Sequence, residues 1–372
     1  MKYCIRCVLP DTRPDLFMQE DGICNACHNH EAKLDIDWVA READFKSTSI
    51  KAKARSSGYD CLVPVSGGKD STWQVLKCLE YGMNPLCVTW KPPFRTNIGS
   101  QNLENLISLG VDHIDYTINP VVEKKFLLKT LECFGTTAIP MHLGIFYIPL
   151  TIAARFNIPL VVFGENSAFE YGTMDPNRMG FAMDDNWIKH SGVVHETTAA
   201  DWVSEDLSEK DLTPYFGPSS QELEEKDISA IFLGHYFQWD PDEVFQTAKE
   251  HGFRASELGA RTGLYDYADI DDDLISTHHW MKWYKFGFTR LWDNLSLEIR
   301  NGRITREEAL NIIENRGDET PLEDIEKLCD YLSISTNRFY EIAEGFRNHD
   351  IWSCHNGLWK IDGYQFSNWN WS

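Results

Sequence analysis

Positive charge is scarce in this chain of 372 residues: 35 Lys and Arg stand against 57 Asp and Glu, a formal net charge of −22. Such a chain repels phosphate backbones unless its basic residues are gathered locally, so nucleic acid is not expected as a partner. The opening stretch MKYCIRCVLPDTRPD lacks the basic-then-apolar layout of a secretory signal, and no uninterrupted apolar run of membrane-spanning length stands out. The expectation is a cytoplasmic protein with no membrane insertion. Internal repeats, low-complexity tracts and tail-like charge blocks are also missing. What remains is a folded chain whose 42% hydrophobic content exceeds the needs of one core and implies a main domain with smaller satellites.

Cysteine is plentiful, at ten residues, but unevenly placed. Cys4-x-x-Cys7 and Cys24-x-x-Cys27 are separated by a turn-rich segment holding Pro10, Pro14 and Asp21-Gly22. Each pair offers two thiolates to one corner of a tetrahedron, and the Asp-Gly turn can fold one pair onto the other. Four thiolates with no open position fit a structural Zn²⁺. A redox dithiol needs only one such pair. His28 and His30 are then neighbours of the site, since the four cysteines complete the shell. The other six cysteines are scattered, mostly among apolar residues.

The pattern along the chain divides it into a Cys-rich unit (1–30), a polar helical linker (31–57), an alternating strand and helix region (58–239) and a mostly helical remainder (240–372). Within the third part, CLVPV, PLCVTW, VDHIDYTI, PLVVF and DISAIFLGHYF read as five strands separated by helices, which points to a doubly wound parallel α/β sheet. The irregular segment between PLVVF and the fifth strand is too long for a mere connection, and it is expected to shape a binding pocket. Thr305 to Glu308 reads as a capping box and Thr320-Pro321 as a helix start, while Asp271-Asp272-Asp273 reads as a solvated loop before a helix.

The first strand runs into Ser66-Gly67-Gly68-Lys69-Asp70-Ser71. A Walker A loop is excluded because Asp70 stands where its hydroxyl residue belongs, and a dinucleotide loop is excluded by the missing third glycine. The six residues instead match the SGGxDS signature of the PP-loop ATP pyrophosphatases, which cleave ATP between its α and β phosphates and adenylate a carbonyl-type oxygen. The resemblance implies that Ser66, Gly67, Gly68 and Ser71 cradle pyrophosphate, that Lys69 adds charge, and that Asp70 helps hold Mg²⁺. It further implies that Thr89 and Trp90, ending the second strand, meet adenine, and that Gly164, Glu165 and Asn166, after the fourth, lie beside the phosphates. Relatives often continue that last turn with Ala-Asp-Asp, where this chain has Ser167-Ala168-Phe169-Glu170, so a metal role for Glu165 or Glu170 stays open against a simple loop.

CIRCVLPDTRPD and GICNAC, then VPVSGGKDST, VVFGENSAFEYG and WYKFGFTRLWDNLSLEIRNGRITREEAL, taken in order, resemble the N-acetyl sugar amidotransferases of bacterial surface-polysaccharide (O-antigen, lipopolysaccharide) biosynthesis. That resemblance implies conversion of the acetamido group of a nucleotide-linked or sialic-acid-like sugar into an acetamidino group. It also implies partner proteins, a glutaminase and a barrel-shaped ammonia-channelling subunit similar to those of histidine biosynthesis. Lys285 and Arg290 are the cations expected to clamp the ATP phosphates, with solvated helix-end charges as the alternative. Any of His142, His190, His195, His235, His278 and His279 can serve as general base or as packing. Two other readings stay open: a tRNA thiolase, which needs a reactive cysteine near the loop, and a non-catalytic ATP- and zinc-binding scaffold.

Overall fold

From Asn25 to Arg55 the chain forms α1 (Asn25–Ala32) and α2 (Trp38–Arg55), the latter capped by the Asp37 carboxylate on the Ala40 amide. The computed structural model describes residues 1–173 and 175–366. Short β-branched runs then alternate with helices: β1 (Cys61–Pro64), α3 (Lys69–Glu80), β2 (Pro85–Trp90), α4 (Asn97–Ile107), β3 (Asp112–Tyr116), α5 (Pro120–Phe134), α6 (Ala138–Phe156) and β4 (Leu160–Phe163). Three short helices, α7 (Ser167–Tyr171), α8 (Asp185–Lys189) and α9 (Ser220–Glu225), punctuate the long segment before β5 (Ser229–Phe232). All five strands are parallel, in the order β3-β2-β1-β4-β5. The expected five-stranded doubly wound sheet is therefore present.

This order reverses direction between β1 and β4, and the crevice outside their carboxyl ends is where an open α/β sheet holds ligands. One face of the sheet is covered by α5, α6 and the 183–215 segment, through Phe126, Ile139, Leu143, Trp202 and Tyr215. The other is covered by α2, α3 and α4 with α10 (Pro241–Glu250), through Phe45, Trp73, Leu106 and Val244. Each fully buried side chain of this size contributes about 1.5–3 kcal/mol. No membrane-length apolar run was expected, yet α6 is long and apolar enough to cross a membrane. It is mostly buried against β1, β2, β4 and α5 instead, so its hydropathy is that of a core helix.

The remaining helices are α11 (Ile275–Phe286), α12 (Arg290–Arg300), α13 (Arg306–Arg316), α14 (Leu322–Leu332) and α15 (Thr336–Gly345). The Thr305 to Glu308 capping box opens α13 as expected, and α14 starts one residue after Pro321. Helices α11, α14 and α15 share a core with Leu127 and Leu131 of α5, while α12 and α13 share one with the N-terminal cysteine unit. The region is not wholly helical: β6 (Trp352–His355) and β7 (Leu358–Ile361) form an antiparallel hairpin around Asn356-Gly357, both at positive φ. An Asn-Gly pair supplies that left-handed backbone at little steric cost.

Candidate active site

The turn after β1 is built for close approach. Gly67 has φ +88°, and a Cβ there would lie 2.6 Å from the Leu103 amide nitrogen, so both conformation and space demand glycine. Ser66 Oγ accepts the Gly68 amide at 3.2 Å, and Ser71 Oγ accepts the Ser66 amide at 3.4 Å while donating to the Gly68 carbonyl. Gly68 is the N-cap of α3 and supplies no side-chain cap, whereas α2, α4, α5, α12, α13 and α15 all have one. The amino end of α3 thus keeps donors for an anion, aided by the helix dipole.

A two-lobed cleft opens at this loop. The larger lobe has a volume of about 620 Å³ and the smaller about 230 Å³, and Ser66, Asp70, Glu165, Asp269, Asp271 and Arg290 line both. Ser71 and Trp90 face the larger lobe; Gly68 and Lys69 face the smaller. Lys69 is buried and pairs with both Asp70 oxygens at 2.7 and 2.8 Å, and the Trp239 indole donates to Asp70 Oδ1 at 2.9 Å. Its ammonium also sits 5.2 Å from the Trp239 ring centre. Burial and the nearby Asp70 charge push Glu165 up to about 7, against the pull of Lys69.

Other expected residues are held away from the cleft. Thr89 is buried with its hydroxyl against His113 at 2.8 Å. Asn166 uses its amide on the Arg178 and Gly180 carbonyls and its oxygen on the Ala168 amide and the Trp187 indole, so it ties the 166–187 segment together and lines neither lobe. Gly164 is packed against the Gln74 side chain. Glu170 is buried in an ion pair with Lys33, which makes it a loop anchor and not a cleft ligand. His190 and His235 lie outside the lining, His235 against Arg41.

The acidic run Asp271 to Asp273 corrects the solvated-loop expectation. The Thr96 amide binds the Asp271 carbonyl, Thr96 Oγ1 binds the Ile270 carbonyl, and Gly99 lets the Asp271 backbone approach where a Cβ would be 2.8 Å from its Cα. This docking turns Asp269, Asp271 and Asp272 into the cleft, where Ser66 also lies, and burial pushes Asp272 up to about 7. Asp273 instead pairs with Arg261 and Lys327.

Lys285 and Arg290 both line the larger lobe, so neither is a solvated helix end. Arg290 bonds Asp269 at 3.3 Å and lies 4.0 Å from Asp293. Asp293, 1% exposed, also receives Arg13 at 2.8 Å and Lys282 at 3.0 Å. Burial opposes its ionisation, but Lys282, Arg13 and Arg290 together hold the carboxyl well below its usual range. Arg13 and Lys282 escaped the sequence reading; Arg13 lies in the quoted CIRCVLPDTRPD stretch, and Lys282 directly precedes the quoted stretch that opens WYKFGFTR.

The Cys4, Cys7, Cys24 and Cys27 sulfurs lie within 4.8 Å of one another and are all buried, the one such donor cluster among the described residues. The Cys7 and Cys24 amides point at Cys4 Sγ, at 3.4 and 3.3 Å. Beside them the Arg300 guanidinium nitrogens are buried with no hydrogen-bond partner, and the Cys7, Cys27 and Cys24 thiolates help keep that group charged despite burial. This donor set fits a tetrahedral metal ion whose thiolates leave net negative charge for Arg300 to balance.

The fold is a doubly wound parallel α/β sheet whose first strand runs into the Ser66 to Ser71 turn at the switch point. Residues 261–364, which carry one wall of the cleft, match the family model described as LPS biosynthesis protein WbpG-like, C-terminal domain. A comparison with curated proteins finds no match. Among solved structures, NMN synthetase from Francisella tularensis is 12% identical, with a TM-score of 0.31 over 83% of this chain and 96% of that one. A predicted subunit of tRNA methyltransferase from Methanocaldococcus jannaschii is 17% identical, with a TM-score of 0.27 over 51% and 75%. Superpositions this loose add nothing to what the sheet order itself defines.

Proposed function

We propose that this chain is an ATP-dependent amidotransferase that converts the acetamido group of a nucleotide-linked or sialic-acid-like sugar into an acetamidino group, in the biosynthesis of lipopolysaccharide or a related surface glycan. The observation that carries the reading is the intact SGGKDS turn on the seam of a two-lobed cleft whose far wall is the WbpG-like region. In this reading ATP lies across the seam, with adenine toward Trp90 and the β and γ phosphates toward Lys69. The acceptor sugar fills the rest of the larger lobe.

The amide oxygen of the acceptor attacks the α-phosphorus, the bond to the bridging oxygen breaks, and pyrophosphate leaves. Ammonia adds to the imidate carbon, a proton is lost, and AMP departs with the former amide oxygen. Adenylation makes a very poor leaving group into a good one. The amides at the start of α3, Ser66 and Ser71 bind the departing pyrophosphate, and Arg290 balances charge on the phosphates. Asp70 and Glu165 are the groups suited to hold Mg²⁺, which would neutralise phosphate charge. Lys69 and Asp70 neutralise each other in the free protein, so phosphate and metal each replace a partner already present.

None of the ten cysteines lines either lobe, which speaks against a thiolase and against a glutaminase nucleophile at this site. Ammonia is therefore proposed to come from the glutaminase and barrel-shaped subunits. The test incubates the protein with MgATP, ammonium and a panel of N-acetylated nucleotide sugars, following AMP, pyrophosphate and sugar mass. Equimolar AMP and pyrophosphate with replacement of sugar oxygen by NH is expected. Nucleotide and sugar binding without any ATP cleavage, with partner subunits added, would make the chain a scaffold.

A further inference from the structure

Four histidines line the larger lobe, His142, His195, His278 and His279, and their ring nitrogens are not interchangeable. On α6, Met141, His142, Ile145 and Pro149 share one helical stripe, and all four line the lobe. Gly144 lets that helix close on the end of β2, where a Cβ would lie 2.8 Å from the Trp90 ring. His142 Nδ1 sits 2.8 Å from the Ala138 carbonyl oxygen. A carbonyl only accepts, so Nδ1 carries the proton and Nε2 of the neutral ring carries the lone pair. That Nε2 has no hydrogen-bond partner among the described residues. The other three rings are committed elsewhere. His278 Nδ1 lies 2.9 Å from the hydroxyl of Thr136, which is 1% exposed and already accepts the Ala138 amide. The buried hydroxyl proton goes to Nδ1, so His278 keeps its own proton on Nε2 and is a donor. His279 turns Nε2 toward Asp269, 3.7 Å away, and its Nδ1 is buried. His195 packs its ring on Phe134, whose carbonyl holds the Lys285 ammonium at 2.9 Å, and that charge opposes protonation of the imidazole.

We infer that His142 is the base of the ammonia step, its Nε2 taking the proton that the adduct must lose. The inference rests on the amidotransferase reading and adds the residue that separates its two half-reactions. Adenylation needs no base, because the amide oxygen supplies the electron pair and the amide N–H stays in place. In the second half, the ammonia lone pair forms the new C–N bond and the C=N π pair moves onto the sugar nitrogen. The adduct now carries an ammonium group. Nε2 takes one of its protons, and the N–H electron pair stays on nitrogen. The C–O bond then breaks with its pair on the AMP oxygen, and an amidinium remains. Order matters here, since an adduct that keeps all its protons expels ammonia and reverts. Burial keeps His142 neutral until that moment, and the Ala138 carbonyl favours the imidazolium once it forms.

The test separates the half-reactions, using the acceptor that the sugar panel identifies. Exchange of labelled pyrophosphate into ATP without ammonia reads adenylation; amidine formation with ammonium reads both steps. His142→Gln should slow amidine formation about a hundredfold or more, the usual contribution of one general base, while exchange continues. Imidazole should restore part of the rate to His142→Ala, whose vacated space admits it, a rescue that a structural role does not produce. Equal losses in exchange and amidine formation would overturn the assignment. Wild type that neither exchanges pyrophosphate nor forms amidine sinks the amidotransferase reading itself; wild type that does both, with His142→Gln as fast, sinks the base alone.

Discussion

Replacing Asp293 by Asn perturbs the point at which three parts of the chain meet. Arg13 comes from the cysteine unit, Lys282 from α11 and Arg290 from α12, and their shared carboxylate is 1% exposed. Asn keeps the shape and one acceptor oxygen but removes the charge, leaving three cations close together, of which Arg290 keeps Asp269 as a partner. Removing one partner of a buried pair costs about 3–5 kcal/mol, because the other is left uncompensated. The two closest contacts place Asp293→Asn within that range. Urea denaturation measures it without the salt that would screen the effect. Arg13→Met combined with Asp293→Asn should cost less than the sum of the two changes, since the double variant has one fewer stranded cation. A loss under about 1 kcal/mol in Asp293→Asn, with additive behaviour in the pair, would refute the idea that this carboxylate holds the three parts together.

Lys69→Met should lower pyrophosphate release about a hundredfold or more, the cost of losing one oriented donor at a developing charge, and unchanged turnover would remove Lys69 from the phosphate site. Cys24→Ser should abolish the one zinc expected per chain, read by metal analysis, and lower the melting temperature, because the same cluster of buried residues includes Trp292 and Ile313; full stability without metal would make the cysteines a plain apolar core. Lys285, held below its ordinary value by burial, loses its proton near pH 8 in the folded chain, while the unfolded chain holds that proton more tightly. Between about 8 and the ordinary lysine value stability therefore rises with pH. Urea denaturation across that range measures it, and stability that is flat there would contradict the burial of Lys285.

Strand and helix alternation made the sheet legible, because parallel strands covered on both faces read as short apolar runs and their helices carry caps. The loop was legible for a related reason: Gly67 and the open amino end of α3 are local features, written in six consecutive residues. Asn166 misled because its place after β4 is right for a phosphate contact, and only the fold shows its amide spent on Arg178, Gly180 and Ala168. The acidic run at Asp271 has the composition of a surface loop; pairing with residues 94–96, far away in sequence, turns it inward. Ion clusters such as Arg13 with Asp293 join residues 280 apart and leave no local periodicity to find. The β6–β7 hairpin is a different case, since Asn356-Gly357 is a local turn signal set between short runs that also suit a helix.

The most direct test of the account follows the oxygen. With the acceptor acetamido oxygen carrying a heavy isotope, turnover in unlabelled water with MgATP and ammonia should place the label in the phosphate of AMP, because that oxygen attacks phosphorus and leaves with it. Label retained in an amidinated product is chemically impossible, so the contradicting results are label released to water, or label kept in an unchanged sugar while AMP and pyrophosphate form. Either would show that ATP is cleaved without adenylation of the acetamido group.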